Sequence, residues 1–465
     1  MIPTPTPVAL PEAVSRALCA PQRFPVLSPA GRRMLHWLRG HPHAPRYRDY
    51  SGHRLDRWAL WQARWRHHRL VSSPWQHPVP HELPVWVLPF SRAVRQSVPF
   101  HGQRGLHAAP WHEIPTTGRA DLSADLTAHL PCAWSSRPER WSALICFTTS
   151  GTTGHPLRVP SLPRVAADYQ AYHRRALAQL GLTPRAGRGQ VGVALVGHQQ
   201  RCFTYVSVNP LQGECGLVKL NLMPHEWHDP DDRARYLDAL SPELISGDPV
   251  SLAALAALPM AHRPLALLST SMALTPALRD ALQARFACPV LDVYSLNEVG
   301  PVAVFDPALD GFVPLQPRLH IELLDDDGRP VAPGALGEVT VTGGFNPCLP
   351  LLRYRTGDHA RWGHGPGGPV LRDLQGRAPV RFRHAAGHWV NNVELTQAFK
   401  PLPVVRFALH QAADDRLHLQ VDMTELRLWQ PRLRAAVQGC LGELPLRITP
   451  LQADDKVRQY TRDAP

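Results

Sequence analysis

Between Ala143 and Tyr294 the chain alternates short apolar runs with stretches of helical periodicity, and this alternation restricts the fold more than any other feature. SALICF, residues 142–147, is an apolar run that ends in hydroxyls and a glycine, which predicts a buried strand entering a turn. Arg164–Leu180 carries apolar residues at helical spacing, QVGVALVG (Gln190–Gly197) predicts a further buried strand, and PLALLST (Pro264–Thr270) another. In TPALRDALQARF, Pro276 stands where a helix accepts proline in its first turn, and the strand-like PVLDVY follows. An open sheet with helices on its faces accommodates such a series.

Beyond Gly311 the texture changes to short alternating runs, LHIELLD and GEVTVTG, which predict hairpins. The Gly/Pro-rich GHGPGGP, Gly363–Pro369, follows. The expected architecture is α/β. A large N-terminal domain, residues 1–374, has mixed sheets flanked by helices and a β-rich subdomain, and its first 113 residues are less recognisable. A small C-terminal α/β domain spans residues 375–465. Near the N-terminus, His53–Leu70 carries Trp58, Trp61 and Trp65 at helical spacing. This pattern predicts a core-facing stripe with arginines on the solvent side, and a base-stacking platform is the alternative.

A formal net charge of +12 and a pI near 9.7 favour anionic partners such as nucleotides, coenzyme A or an acidic carrier protein. The basic residues are dispersed, without zinc-finger spacing or an RNA-recognition signature, which argues against nucleic acid. Eight cysteines without a CxxC pair read as reduced thiols of a cytoplasmic protein. No run of eighteen apolar residues and no basic n-region with an apolar core appear, so neither a membrane span nor export is expected.

Thr148-Thr149-Ser150-Gly151-Thr152-Thr153-Gly154-His155-Pro156 follows the SALICF run directly. Glycines let the backbone approach a ligand closely, while hydroxyls and main-chain N–H groups donate to phosphate oxygens. The P-loop lysine spacing is absent. By composition alone the segment could equally be a surface loop.

The whole string TSGTTGxP resembles the phosphate loop of the adenylate-forming superfamily, which includes acyl-CoA synthetases and adenylation domains. Further stretches follow in that superfamily's order. DVYSLNEVGP, Asp292–Pro301, resembles the YGxTE segment; the likeness implies that Tyr294 lies against adenine, Asn297 near phosphate, and Glu298 on Mg²⁺. RYRTGD, Arg353–Asp358, resembles the YRTGD motif and implies that Asp358 accepts both ribose hydroxyls, as an acceptor-only carboxylate can. Gln375-Gly376-Arg377 resembles the hinge, with Arg377 toward the nucleotide, and Gly387–Glu394 the glycine loop of the thiol step. Asp454–Arg458 resembles the segment holding a catalytic lysine, here Lys456, whose ammonium would stabilise charge on the α-phosphate.

IPTTGRADL (Ile114–Leu122), SGDPVSLAALA (Ser246–Ala256), STSMALTPALRD (Ser269–Asp280) and YSLNEVGP point to the phenylacetate-CoA ligase and capsule-protein-like branch. The likeness implies a mobile C-terminal domain and a nucleotide site that includes Ser271 and Met272. The chain departs from the pattern at His155, Met272, Asn297, Asp455, and at Ala378-Pro379 after the hinge arginine, where proline restricts rotation.

The implied activity is ATP-dependent conversion of a carboxylic acid to an acyl-adenylate, then transfer to the thiol of coenzyme A or of a phosphopantetheinylated carrier. Thr149, Glu298 and Lys456 would act in catalysis, and Ser150, Gly151, Thr152, Thr153 and Gly154 would hold phosphate. The acid is expected among His198, Phe203, Tyr205, Gly247 and Asp248. The apolar rings favour an aromatic or otherwise hydrophobic acid, while Asp248 could pair with an amine. An amide- or ester-forming adenylating enzyme and a non-catalytic nucleotide-binding relative are the alternatives.

Overall fold

The computed structural model describes residues 10–72, 80, 82–102, 109–137, 141, 144–148, 158–199, 202–344, 346–365, 368–376, 380–399, 401–404, 406–452 and 459–463. The N-terminal part is helical: α1 Glu12–Leu18, α2 Pro29–Arg39, α3 Arg57–Ser72, α4 Val87–Ser97, α5 Pro99–Gly102, α6 Arg119–Ala124 and α7 Cys132–Ser135. Next come strands β1 Ile145–Thr148 and β2 Arg158–Ser161, helix α8 Pro163–Gln179, and strands β3 Val191–Gly197, β4 Tyr205–Asn209 and β5 Cys215–Asn221. Helix α9 Asp232–Leu240, β6 Leu244–Gly247, α10 Pro249–Ala256, β7 Ala266–Thr270, α11 Pro276–Phe286 and β8 Val290–Leu296 complete the alternating section.

Local chemistry explains these boundaries. Thr275 caps α11 by accepting from the Leu278 N–H at 3.3 Å, with Pro276 in the first turn. Asp248 does the same for α10, accepting from the Ser251 N–H at 2.8 Å.

Strands β9 Gly300–Asp306, β10 Gly311–Pro314, β11 Leu319–Leu324, β12 Gly337–Gly343, β13 Leu351–Gly365 and β14 Gly368–Gln375 follow. They do not close into a sheet of their own. A single twelve-stranded sheet runs in the order β11-β12-β13-β14-β10-β9-β8-β7-β6-β3-β5-β4, with β5, β3, β6, β7 and β8 parallel. The Gly/Pro-rich 363–369 stretch thus lies where the paired strands β13 and β14 turn back on each other.

Two sequence expectations are corrected. SALICF does contain a strand, β1, but among the described residues it pairs only with β2, in a two-stranded antiparallel ribbon, and Cys146 and Phe147 are exposed. A two-stranded ribbon pairs each strand on one edge, which by itself does not bury an apolar run. The second correction concerns α3, whose Trp58, Trp61 and Trp65 are 63%, 57% and 54% exposed. Its buried side is instead Leu60 and Ala63, against α8.

From residue 381 onward come β15 Arg381–Arg383, β16 Trp389–Asn391, α12 Asn392–Phe399, β17 Arg406–Gln411, β18 Leu417–Asp422, α13 Leu426–Leu441, β19 Leu446–Pro450 and β20 Tyr460–Arg462. A four-stranded sheet, β19-β18-β17-β20, packs with both helices around Phe382, Leu395, Leu409, Leu419, Leu433 and Val437. None of these residues belongs to the clusters that line the twelve-stranded sheet.

Candidate functional site

Going along the chain, β5 is added on one side of β3, and β6, β7 and β8 on the other. Connections therefore leave β3 in opposite directions, and in open α/β sheets ligands bind in the crevice outside the carboxyl ends of the strands at such a switch. Gly197 ends β3, Gly247 ends β6, Thr270 ends β7 and Leu296 ends β8. His198, Asp248, Ser271, Met272, Asn297 and Glu298 follow directly, so these sequence-selected residues lie along one edge of the sheet.

Gly247 is dictated by packing. A Cβ there would stand 2.9 Å from both the carbonyl oxygen and a side-chain methyl of Val196, so only glycine lets β6 approach β3 this closely. At the end of β7, Ser271 adopts φ +71°, a left-handed conformation that non-glycine residues hold only when their surroundings enforce it.

A polar cluster forms at the carboxyl end of β8. Tyr354 on β13 donates to Glu298 Oε1 at 3.1 Å, and the Arg119 guanidinium lies 3.7 Å from the same oxygen. Glu298 is 7% exposed, and Tyr354 is buried. Tyr294 donates to Asp358 Oδ2 at 2.7 Å. Burial, reinforced by the Glu298 charge, holds the Tyr354 hydroxyl well above the ordinary tyrosine range; burial and Asp358 do the same at Tyr294. Both phenols therefore stay protonated and serve as donors to carboxylates.

The backbone around these groups is fixed by distant residues. Gly357, at φ +81°, sits where β13 slips register against β12 just before Asp358, and its N–H donates to Glu338 Oε1 at 3.0 Å. Thr117 bridges Tyr354 as a short parallel neighbour of β13: its N–H donates to Arg353 O, and the Arg355 N–H donates back to Thr117 O at 2.7 Å. Arg353 donates to Ile114 O at 2.6 Å and to Gly328 O at 2.9 Å. The IPTTGRADL stretch is thereby laid along β13, which brings Arg119 to Glu298. Arg119, Tyr354 and Thr117 were visible only as members of quoted motifs, because nothing in a linear pattern pairs residues so far apart.

Within β8, Asp292 is buried with Arg279 Nη2 at 3.7 Å. Desolvation outweighs the attraction of Arg279 and pushes the Asp292 carboxyl up to about 7. Burial lowers the Arg279 pKa as well, so both partners are stabilised less by the pair than they are penalised by leaving water.

At the β3–β6 end, Phe203 and Tyr205 rings lie 5.5 Å apart, with Phe203 51% exposed. Cys202 joins them, a residue not singled out in the sequence; burial raises its thiol pKa, and Lys219 acts in the opposite direction. Asn221, fully buried, accepts from the Gln199 N–H at 3.2 Å and donates to Gln199 O at 2.7 Å, which fixes the turn that carries His198. The Asp248 carboxylate is engaged as the α10 cap.

Thr149, Ser150, Gly151, Thr152, Thr153, Gly154, His155, Arg377, Ala378, Pro379 and Lys456 lie outside the described residues. No group of His, Cys, Asp and Glu that could by itself hold a metal occurs among the described residues, and no described helix is long and apolar enough to cross a membrane.

No protein-family model matches the chain. A stretch of 91 residues is 34% identical to phenylacetate-coenzyme A ligase of Escherichia coli (strain K12), covering 19% of this chain and 21% of that enzyme. The phenylacetate-coenzyme A ligase of Pseudomonas putida is 32% identical over 102 residues, or 21% and 23% of the two chains. The match thus spans about a fifth of the length of these curated relatives. Over nearly the whole chain the fold is similar to that of 2-hydroxyisobutyryl-CoA ligase. Its post-adenylation structure with 2-HIB-AMP aligns with TM-score 0.57 and 17% identity, covering 87% of this chain and 89% of that one. Its open conformation with 2-HIB-AMP and CoA aligns at 0.53 and 18%, covering 83% and 93%. The chain therefore has an acyl-CoA ligase fold and carries a stretch of sequence similar to phenylacetate-CoA ligases.

Proposed function

We propose that this chain is a cytoplasmic, AMP-forming ligase that activates a hydrophobic carboxylic acid with ATP and hands the acyl group to a phosphopantetheine thiol. The observation that carries the reading is the pairing of Tyr354 with Glu298 and of Tyr294 with Asp358 at the carboxyl end of β8, on the sheet edge where β3, β6 and β7 also end. Three strand spacings, about 14 Å, separate the β3 end from the β8 end. A nucleotide joined to an acyl group spans such an interval.

In this reading Asp358 and Arg377 hold the ribose, with Tyr294 orienting the Asp358 carboxylate, and residues 149–154 hold phosphates. The donor set at Glu298 fits a hard cation, because a neutral phenol fixes its carboxylate through Oε1. Glu298 Oε2 would hold Mg²⁺, which when bound neutralises phosphate charge. A carboxylate oxygen of the acid attacks the α-phosphorus and the bond to pyrophosphate breaks; Lys456 stabilises the charge that develops. A thiolate then attacks the acyl carbon and AMP leaves with the bond's electron pair. The protein's part is orientation and electrostatics.

Phe203 and Tyr205 support a hydrophobic acid, and the engagement of Asp248 as a helix cap argues against an amino-acid substrate. Coenzyme A is the acceptor we assign, on the likeness to CoA ligases. The test is AMP release with coenzyme A, with a phosphopantetheinylated carrier protein, and with neither. Release that depends on coenzyme A supports the assignment; release only with carrier reassigns the acceptor, and thiol-independent release points to amide or ester formation.

A further inference from the structure

The face of α3 that turns away from the protein has a composition suited to one kind of surface. At 100° per residue, Trp58, Trp61 and Trp65 fall within a sector of about 60°, opposite the buried Leu60 and Ala63. Exposed Arg57, Arg64 and His68 flank this sector on one side and Arg69 on the other. Residues 57–72 contain no acidic side chain. The tryptophans are preordered: the Trp58 and Trp61 rings stack at 4.9 Å and 13°, and the Arg69 guanidinium lies 5.4 Å from the Trp65 ring.

Neighbouring structure extends the positive field. A cavity of about 910 Å³ opens beside Ala59 and Gln62 of α3 and is lined by Arg23, Arg54 and Arg164, with no carboxylate within ion-pair distance of these three among the described residues. The helix packs along α8, tied to it by Arg66 and Asp168 at 2.8 Å, and its three exposed indoles lie on the side away from Leu60 and Ala63.

We propose that this face of α3 binds an anionic membrane surface, with the three indoles seated at headgroup depth and the flanking guanidiniums on lipid phosphates. Tryptophan prefers that depth, and basic residues beside it are drawn to anionic lipid. A second copy of the chain fits poorly, since a two-fold contact would bring the arginine flanks together. The exposed indoles offer roughly 400 Å² in total, from about 250 Å² for a whole tryptophan, which is half of what one partner contributes to a stable protein interface. A bilayer needs no such closed area. The contact would put a hydrophobic-acid ligase at the surface where such acids concentrate.

The test uses the whole protein and vesicles of phosphatidylcholine, alone or mixed equally with phosphatidylglycerol, in a co-sedimentation assay. The wild type should sediment with the mixed vesicles, be released by high salt, and ignore phosphatidylcholine alone. Replacing all three tryptophans by alanine should weaken partitioning by about tenfold or more, and Arg57→Glu with Arg64→Glu should do so independently. Failure of the wild type to bind mixed vesicles, or binding unchanged in both variants, would overturn the proposal. So would a wild-type dimer by light scattering that the alanine variant converts to monomer, because the face would then belong to a second copy.

Discussion

Tyr354 donates to Glu298 Oε1 across 3.1 Å in a buried setting, and Arg119 approaches the same oxygen to 3.7 Å. One carboxylate oxygen thus satisfies both a neutral donor and a cation, and the phenol fixes the direction of the other oxygen. Removing the phenol hydroxyl should loosen the carboxylate without removing its charge. Tyr354→Phe is expected to raise the Mg²⁺ concentration for half-maximal pyrophosphate exchange several-fold, at a stability cost of about 1 kcal/mol. Exchange assays over a Mg²⁺ series, with urea unfolding in parallel, measure both.

The Tyr294–Asp358 contact leads to a nucleotide prediction. If Asp358 accepts ribose hydroxyls, Asp358→Ala should raise the KM for ATP by about 10- to 100-fold, the range for hydrogen bonds to a charged acceptor. The same variant should lose most of the wild-type preference for ATP over 2′-deoxy-ATP. Equal discrimination in both proteins would remove Asp358 from the ribose site.

Much of this arrangement could be read from the sequence. Helices α8 and α11 and strands β3, β7 and β8 announce themselves by periodicity and, at α11, by Pro276 in the first turn, whereas β4, β5, α9, β6 and α10 are not among the elements those patterns single out. Tyr294, Glu298 and Asp358 were picked out by their motifs, and the structure pairs them with neighbours. What local pattern could not decide is which side of an element faces the core. In α3 the large tryptophans mark one face as well as the small set of Leu60 and Ala63 marks the other, and only the presence of α8 selects the second. In β1 an apolar run looks buried, yet in the ribbon with β2 its Cys146 and Phe147 are exposed. Likewise, alternating hairpins do not reveal that β14 continues into β10 and the parallel strands. Arg119 meets Glu298 only because Thr117 pairs with β13.

Asp292 gives a pH prediction. Its carboxyl titrates near 7 in the folded protein, against an ordinary value of 3.8. Between these values the folded state holds a proton that the unfolded chain has lost, so this group's contribution to stability falls as pH rises from about 4 to about 7. Asp292→Asn removes the titration. Denaturant unfolding should therefore show a smaller decline in stability between pH 5 and about 8 for the variant than for the wild type, with an unchanged difference counting against the assignment.

Gly247 tests the crevice between β3 and β6. In Gly247→Ala the new methyl would meet Val196 at 2.9 Å and force the strands apart. A loss of about 1–3 kcal/mol in urea unfolding is expected, together with a raised KM for the acid and little change in the KM for ATP. An equal change in both constants would place the acid elsewhere.

The central claim is acid activation, and acid-dependent exchange of labelled pyrophosphate into ATP measures it directly. With a panel of aromatic and aliphatic carboxylic acids, the wild type should exchange with at least one hydrophobic acid and not without acid. Lys456→Ala should lower that exchange by orders of magnitude while ATP binding persists. Absence of exchange with every acid, or exchange untouched by Lys456→Ala, would contradict the account.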